Sequence, residues 1–198
     1  MTIHIIELGS VTPQPWRNGG GVTRELLAWP AGSGADWLVR VSVADIDRDG
    51  PFSPFPGVQR CFTVLEGAGV VLDFSGVEQT LTTVSAPLSF DGAAAPGCRL
   101  VNGPTRDLNL MGRHSAGPTP NITTMWGVMP NSALPATDGW RGLYTASAAQ
   151  LQADDGSTLD LPAHSLAWCD EVSTGIWRLQ PTNPSSCNAW WMSLRATA

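Results

Sequence analysis

Lysine is absent from the 198 residues, charged side chains make up only 14% of them, and the formal net charge is -6. That balance offers neither a nucleic-acid footprint nor a polybasic membrane patch. Without lysine there is no Schiff-base chemistry and no Ser-Lys catalysis, and arginine is left as the one strong, permanently charged anion receptor. Histidine is scarce: His4, His114 and His164 lie far apart, outside HxH, HExxH or any other ligand spacing. Cys61, Cys98, Cys169 and Cys187 form no CxxC pair, which fits reduced core thiols better than a disulfide frame or a zinc site. No segment approaches the ~18 apolar residues of a membrane span. Met1 to Ser10 lacks a basic start ahead of an apolar run, so no secretory peptide is expected and the protein is read as cytoplasmic. The sequon Asn121-Ile122-Thr123 means nothing without secretion.

What is present points to strands. Hydrophobic residues reach 42%, and the 21 glycines and 16 prolines are spread along the whole length, a distribution that suits many short strands joined by tight turns and suits long helices badly. In Trp37 to Ala44 the valines Val39, Val41 and Val43 share one face and Arg40, Ser42 and Ala44 the other, the period of a half-buried strand. Arg60 to Leu65, the turn Glu66-Gly67-Ala68-Gly69 and Val70 to Phe74 read as a hairpin. Further strands are predicted over Val22 to Trp29, Gln79 to Val84, Cys98 to Val101, Asp107 to Met111, Ile122 to Val128, Arg141 to Thr145, Thr158 to Leu161, Leu166 to Cys169, Ile176 to Leu179 and Ala189 to Leu194. One short helix is predicted over Ala146 to Gln152. The Gly- and Pro-rich stretch Gly112 to Pro120 divides the chain into two lobes, residues 1–116 and 117–198, with exchange of strands between them allowed. Trp126, Trp140, Trp168, Trp177, Trp190 and Trp191 load the second lobe, where core packing is the expected use of large aromatics.

Several motifs fail on their own chemistry. Asp45-Ile46-Asp47-Arg48-Asp49-Gly50 copies the first half of a calcium loop, but its twelfth position is Pro56 where a bidentate Glu is required. Gly19-Gly20-Gly21 is not followed by Lys-Ser/Thr, so it marks a close backbone crossing and not a phosphate cradle. His164, Cys169 and Glu171 could be grouped as a triad, yet nothing in their spacing demands it, and no Gly-x-Ser-x-Gly elbow occurs.

Two blocks are more specific: Pro15-Trp16-Arg17-Asn18-Gly19-Gly20-Gly21-Val22-Thr23-Arg24-Glu25-Leu26, and Asp49-Gly50-Pro51-Phe52-Ser53-Pro54-Phe55-Pro56-Gly57-Val58-Gln59-Arg60 running into Val64-Leu65-Glu66-Gly67. With Leu88 to Gly92 and Asn102 to Met111 they resemble the HutD/Ves family of double cupins over about the first 111 residues. The resemblance implies an all-β fold of cupin-type jelly-roll barrels in two lobes, a bicupin, and an association with bacterial histidine utilisation. In metal-dependent cupins a His-x-His pair and a Glu precede a strand ending in a Val-Leu-x-Gly turn. Here Val64-Leu65-Glu66-Gly67 matches the turn, Arg60 stands where the metal-binding Glu would be, and Pro54-Phe55-Pro56 occupies the His-x-His region. A guanidinium in place of a carboxylate turns a cation site into an anion site, so no metal and no other cofactor is expected.

The strand period puts Phe62 on the face of Arg60, and Asp107, Asn109 and Met111 on one face of their strand. The expected site therefore has Arg60 as the fork for a carboxylate, Asn109 as an orienting amide, Phe62 and Met111 as apolar walls, and Asp107 as part of the polar face. Thr23, Arg24, Ser42, Phe52 and Ser53 are second-tier candidates, taken from the family-like blocks or from the neighbourhood of Arg60. The competing reading is an internal Arg60–Asp107 salt bridge. The expected function is a small-carboxylate-binding, regulatory or accessory protein of histidine utilisation, with urocanate, formylglutamate or formate as candidate ligands from the resemblance. The alternatives are a cofactor-free isomerase or lyase using Asp107 or Glu25 as general base, and a purely structural or interaction module. No nucleic-acid or membrane partner is expected, and the assembly considered beyond the single chain is a homodimer.

Overall fold

The computed structural model describes residues 2–32, 36–113, 119–126, 132–134, 140–153, 155–171, 176–183 and 188–195. Its first strands are β1 (His4–Glu7), β2 (Gln14–Pro15), β3 (Gly21–Trp29), β4 (Val39–Ile46), β5 (Gly50–Pro51), β6 (Val58–Glu66), β7 (Val70–Phe74), β8 (Val77–Leu81), β9 (Leu88–Asp91), β10 (Gly97–Leu100) and β11 (Thr105–Arg113). They are followed by β12 (Thr119–Trp126), β13 (Ser132–Leu134), β14 (Arg141–Thr145), β15 (Ala149–Gln152), β16 (Thr158–Leu161), β17 (Ser165–Cys169), β18 (Trp177–Pro181) and β19 (Asn188–Arg195). No α-helix occurs among the described residues, and none of their helices is long and apolar enough to cross a membrane. Two compact units result, Val11–Pro120 and Met1–Ser10 with Asn121–Arg195.

The first unit has a six-stranded sheet, β2-β3-β4-β11-β6-β9, and a four-stranded sheet, β5-β10-β7-β8. Alternation decides the faces of the larger sheet. Val41, Val43, Leu108 and Leu110 are fully buried on one side. The opposite side carries Ala44, Ile46, Phe62 and Val64, which pack with Val70, Leu72 and Leu81 of the smaller sheet into one apolar cluster. The second unit pairs β1-β17-β14-β19-β12 with β13-β18-β15-β16. Its core holds Leu143, Leu151, Leu161, Trp177, Leu179 and Trp191, and Trp140 and Trp190 are buried as well, as the expected packing role requires.

Three expectations change. The residues Arg60 to Phe74 do not form a hairpin: β6 pairs with β11 and β9, whereas β7 pairs with β8 and β10, so the turn carries the chain from one sheet to the other. Gly69, at φ +113°, makes that corner possible, because a Cβ there would run into the carbonyl oxygen of Leu81. Residues Ala146 to Gln152 form no helix: Ala149–Gln152 are strand β15, in which Ala149 and Leu151 point into the core at period two while Gln150 is exposed, and the tertiary pairing with β16 and β18 overrides local propensity. The opening strand β1 pairs with β17 from Glu7↔Ser165 to His4↔Trp168, so residues 1–10 belong to the second unit and not to the lobe 1–116. His4 there stacks on Trp168 with ring centroids 4.5 Å apart.

Candidate functional site

The antiparallel registers of the larger sheet lay out the site in rows. Met111 of β11 sits opposite Arg40 of β4 on one side and Arg60 of β6 on the other. Two residues along, Asn109 lies between Ser42 and Phe62, and two further along, Asp107 lies between Ala44 and Val64. Directly opposed residues share a face, so the first two rows bring two arginines, an amide and a hydroxyl to one side of the sheet.

Above these rows opens a cavity of about 600 Å³. Seven of the ten residues expected at the site line it: Arg60, Asn109, Met111, Thr23, Ser42, Phe52 and Ser53. The other three lie elsewhere. Phe62 is fully buried behind the wall and packs on Phe52 with ring centroids 5.5 Å apart. Arg24 pairs with Val43 in the strand register, on the side away from the cavity, and its Nη1 donates to Asp45 Oδ2 at 2.6 Å. Asp107 sits one row deeper than Asn109, fully buried, with Oδ2 accepting from the Thr105 hydroxyl at 2.8 Å and Oδ1 without a partner.

Arg60 is 4% exposed. Its Nη2 donates to Asn109 Oδ1 at 2.6 Å, and its Nε is buried without a partner. The guanidinium carbon stands 4.8 Å from the Phe52 ring centre, 5.0 Å from Phe90 and 5.7 Å from Phe55, an aromatic enclosure that attracts a cation without neutralising it. No carboxylate among the described residues pairs with Arg60, so the Arg60–Asp107 salt bridge is not formed. Burial, and then the positive charge of Arg40, pull its pKa down to about 10, which leaves the side chain charged at neutral pH.

Sequence reasoning passed over Arg40, Trp16, Arg17, Asn18 and Phe55, all of which line the cavity. Arg40 shares the strand face of Ser42, so the period-two pattern already carried the signal. Its Nε donates to Glu25 Oε2 at 2.6 Å and its Nη1 approaches Met111 Sδ at 3.8 Å. Trp16, Arg17, Asn18 and Phe55 belong to the two family-like blocks. Pro54 and Phe55, at the His-x-His position of a metallocupin, form wall in place of ligands.

The lining contains no histidine, cysteine, aspartate or glutamate. Neutral amides and hydroxyls, one thioether and three guanidinium groups do not fit the metal centre that the cupin fold usually carries. The Asp-rich turn is committed within the protein: Asp45 accepts from Arg106 Nε at 2.7 Å as well as from Arg24, and Asp49 Oδ1 accepts from the Leu100 amide at 2.8 Å. Burial raises the pKa of Asp45, but the bonds from Arg106 and Arg24 outweigh it and hold the carboxyl below its usual range. Gly21 confirms the close crossing, since a Cβ there would strike the Asp45 carbonyl oxygen. The His164–Cys169–Glu171 grouping does not assemble: His164 faces Tyr144 across 3.4 Å and the extended β17 separates it from Cys169. His114 and Cys187 lie outside the described residues.

Comparison with known proteins gives this geometry a family. An uncharacterized 21.2 kDa protein in the hutC 3' region of Pseudomonas putida is 40% identical over 100 residues, 49% of this chain and 51% of the relative. Protein Ves of Citrobacter koseri is 41% identical over 101 residues, 50% of this chain and 51% of the relative. In these alignments the chain spans about half the length of the relatives it matches. Among solved structures, a conserved protein of unknown function from Pseudomonas aeruginosa PAO1 superimposes with a TM-score of 0.82 at 27% identity over 100% of both chains. HutD from Pseudomonas fluorescens SBW25, determined in a formate condition, gives 0.78 at 26% identity over 98% of this chain and 100% of that one. Oxalate decarboxylase from Bacillus subtilis, at a TM-score of 0.62 and 8% identity over 96% of this chain and 77% of that one, shares the cupin-type all-β fold. A profile of the HutD family matches residues 9–186, and the chain belongs to that family.

Proposed function

We propose that the chain is a metal-free cupin that binds a small carboxylate in the cavity of its first unit and serves as a regulatory or accessory protein of histidine utilisation. The observation that carries this reading is Arg60: a charged, almost wholly buried guanidinium opens into a cavity without pairing to a carboxylate. A buried charge in that state is costly, and a ligand carboxylate would relieve the cost with charge-assisted, bidentate bonds. The hutC-adjacent relative supports the setting. A cofactor-free isomerase or lyase would need Asp107 or Glu25 as its base. Asp107 does not line the cavity, and Glu25 is engaged by Arg40.

Calorimetric titration with formate, urocanate and formylglutamate tests the reading. Arg60→Ala is expected to weaken binding of the best acid by about 2 kcal/mol or more, and Arg60→Lys to restore it only in part, because an ammonium lacks the planar fork. Equal affinities in wild type and both variants would sink the proposal.

A further inference from the structure

Three polar side chains of the cavity share one peculiarity. Asn109 turns its Oδ1 to Arg60 Nη2 at 2.6 Å. Asn18 turns its Oδ1 to the Gly20 amide at 3.0 Å. Thr23 receives the Trp16 indole N–H on its Oγ1 at 2.7 Å. An arginine, an amide N–H and an indole N–H can only donate, so each oxygen is the accepting partner, and the orientation of both amides is dictated by chemistry. In each case the acceptor is committed to protein and the N–H or O–H hydrogens are what remain. Arg60 Nε adds a further buried donor without a partner. Ser42, Ser53 and Gln14, whose polar groups can turn either way, are the adjustable members of the lining.

We propose that this one-sided polarity sets the specificity of the site: Asn109, locked by Arg60, presents its NH2 to the ligand, so the cavity takes an ionised carboxylate and rejects the carboxamide of the same shape. The inference rests on the carboxylate reading above and adds the residue that discriminates. A carboxylate offers only acceptors, about four lone-pair sites, to the surrounding donors. A carboxamide that occupies the place of the carboxylate beside Arg60 and Asn109 turns its NH2 toward one of these donors, which leaves buried donors facing donors and loses the charge pairing. Asn109 is thus a specificity-determining residue, distinct from the charge supplied by Arg60.

The experiment pairs each acid with its amide: formate against formamide and benzoate against benzamide, titrated calorimetrically at pH 7 into wild type and Asn109→Asp. Wild type should prefer the acid by about 100-fold or more. In Asn109→Asp the new carboxylate would pair with Arg60 and point an acceptor into the cavity, so the acid-to-amide ratio should collapse toward one while the folded β spectrum is kept. Asn109→Ala, which removes the NH2 and leaves Arg60 charged, is the second variant: the acid-to-amide ratio should fall by about tenfold or more, and an unchanged ratio would overturn the inference even if Asn109→Asp fails to fold. Wild type binding acid and amide within about threefold, or Asn109→Asp keeping its preference for acids, would overturn the inference. Wild type binding neither acid would instead bring down the carboxylate reading beneath it, so the two failures are distinguishable.

Discussion

Asp107 stands apart from the cavity that Arg60 serves. It is fully buried below Asn109, bonded only through Oδ2 to Thr105, and burial pushes its carboxyl pKa up to about 8, against the hydrogen bond from Thr105. At neutral pH the folded protein therefore keeps a proton on Asp107 that the unfolded chain, with an ordinary carboxyl near 3.8, has lost. The native state binds more protons, so this group makes stability fall as pH rises from about 4 to about 8 and adds no further slope above that. Asp107→Asn should flatten the dependence by at most about 1.4 kcal/mol per pH unit within that window, and should raise stability most at its alkaline end. Urea unfolding at pH 5, 7 and 8.5 measures it; parallel curves for wild type and variant would contradict the assignment. The register explains why an Arg60–Asp107 bridge does not form: Asp107 is four residues from Met111 along β11 and Arg60 is opposite Met111, with Asn109 in between receiving the guanidinium.

At the scale of elements, the cavity depends on corners as much as on strands. The turn from β6 to β7 changes sheets at Gly69, whose backbone passes against Leu81 with no room for a side chain and with φ at +113°. Gly69→Ala must relieve both a backbone collision and a conformation that L residues rarely adopt, so a loss of roughly 2 to 4 kcal/mol in unfolding free energy is expected. Chemical denaturation would show it, and a change below about 0.5 kcal/mol would mean that the corner rearranges freely. Strand β6 also shows why its register matters: a slip of one residue against β11 would turn Arg60 and Phe62 out of the inner face and Cys61 and Thr63 into it. Local pattern set the alternation of that strand, but the partner strands chose which face became the cavity wall.

At the scale of the whole molecule, Cys61, Cys98 and Cys169 are buried thiols outside any disulfide among the described residues, and burial, with Asp107 and Asp49 nearby, pushes the Cys98 thiol up to about 12. Reaction of Cys98 with a thiol reagent should thus require opening of its unit, and a saturating carboxylate that binds only the folded form should slow that reaction by the factor its occupancy predicts. Labelling at the same rate with and without a ligand of known affinity would show that opening is local. Much of this protein was legible in one dimension. Composition, turn residues and period-two runs determined an all-β chain, and the same period put Arg60, Asn109 and Met111 on strand faces that line the cavity, because both are properties of residue type and spacing. Tertiary structure decided the rest. The pairing of β1 with β17, the change of sheet after Leu65, the strand at Ala149 and the meeting of Arg40 with Arg60 across Met111 all depend on contacts between residues distant in the chain, and no local propensity encodes them.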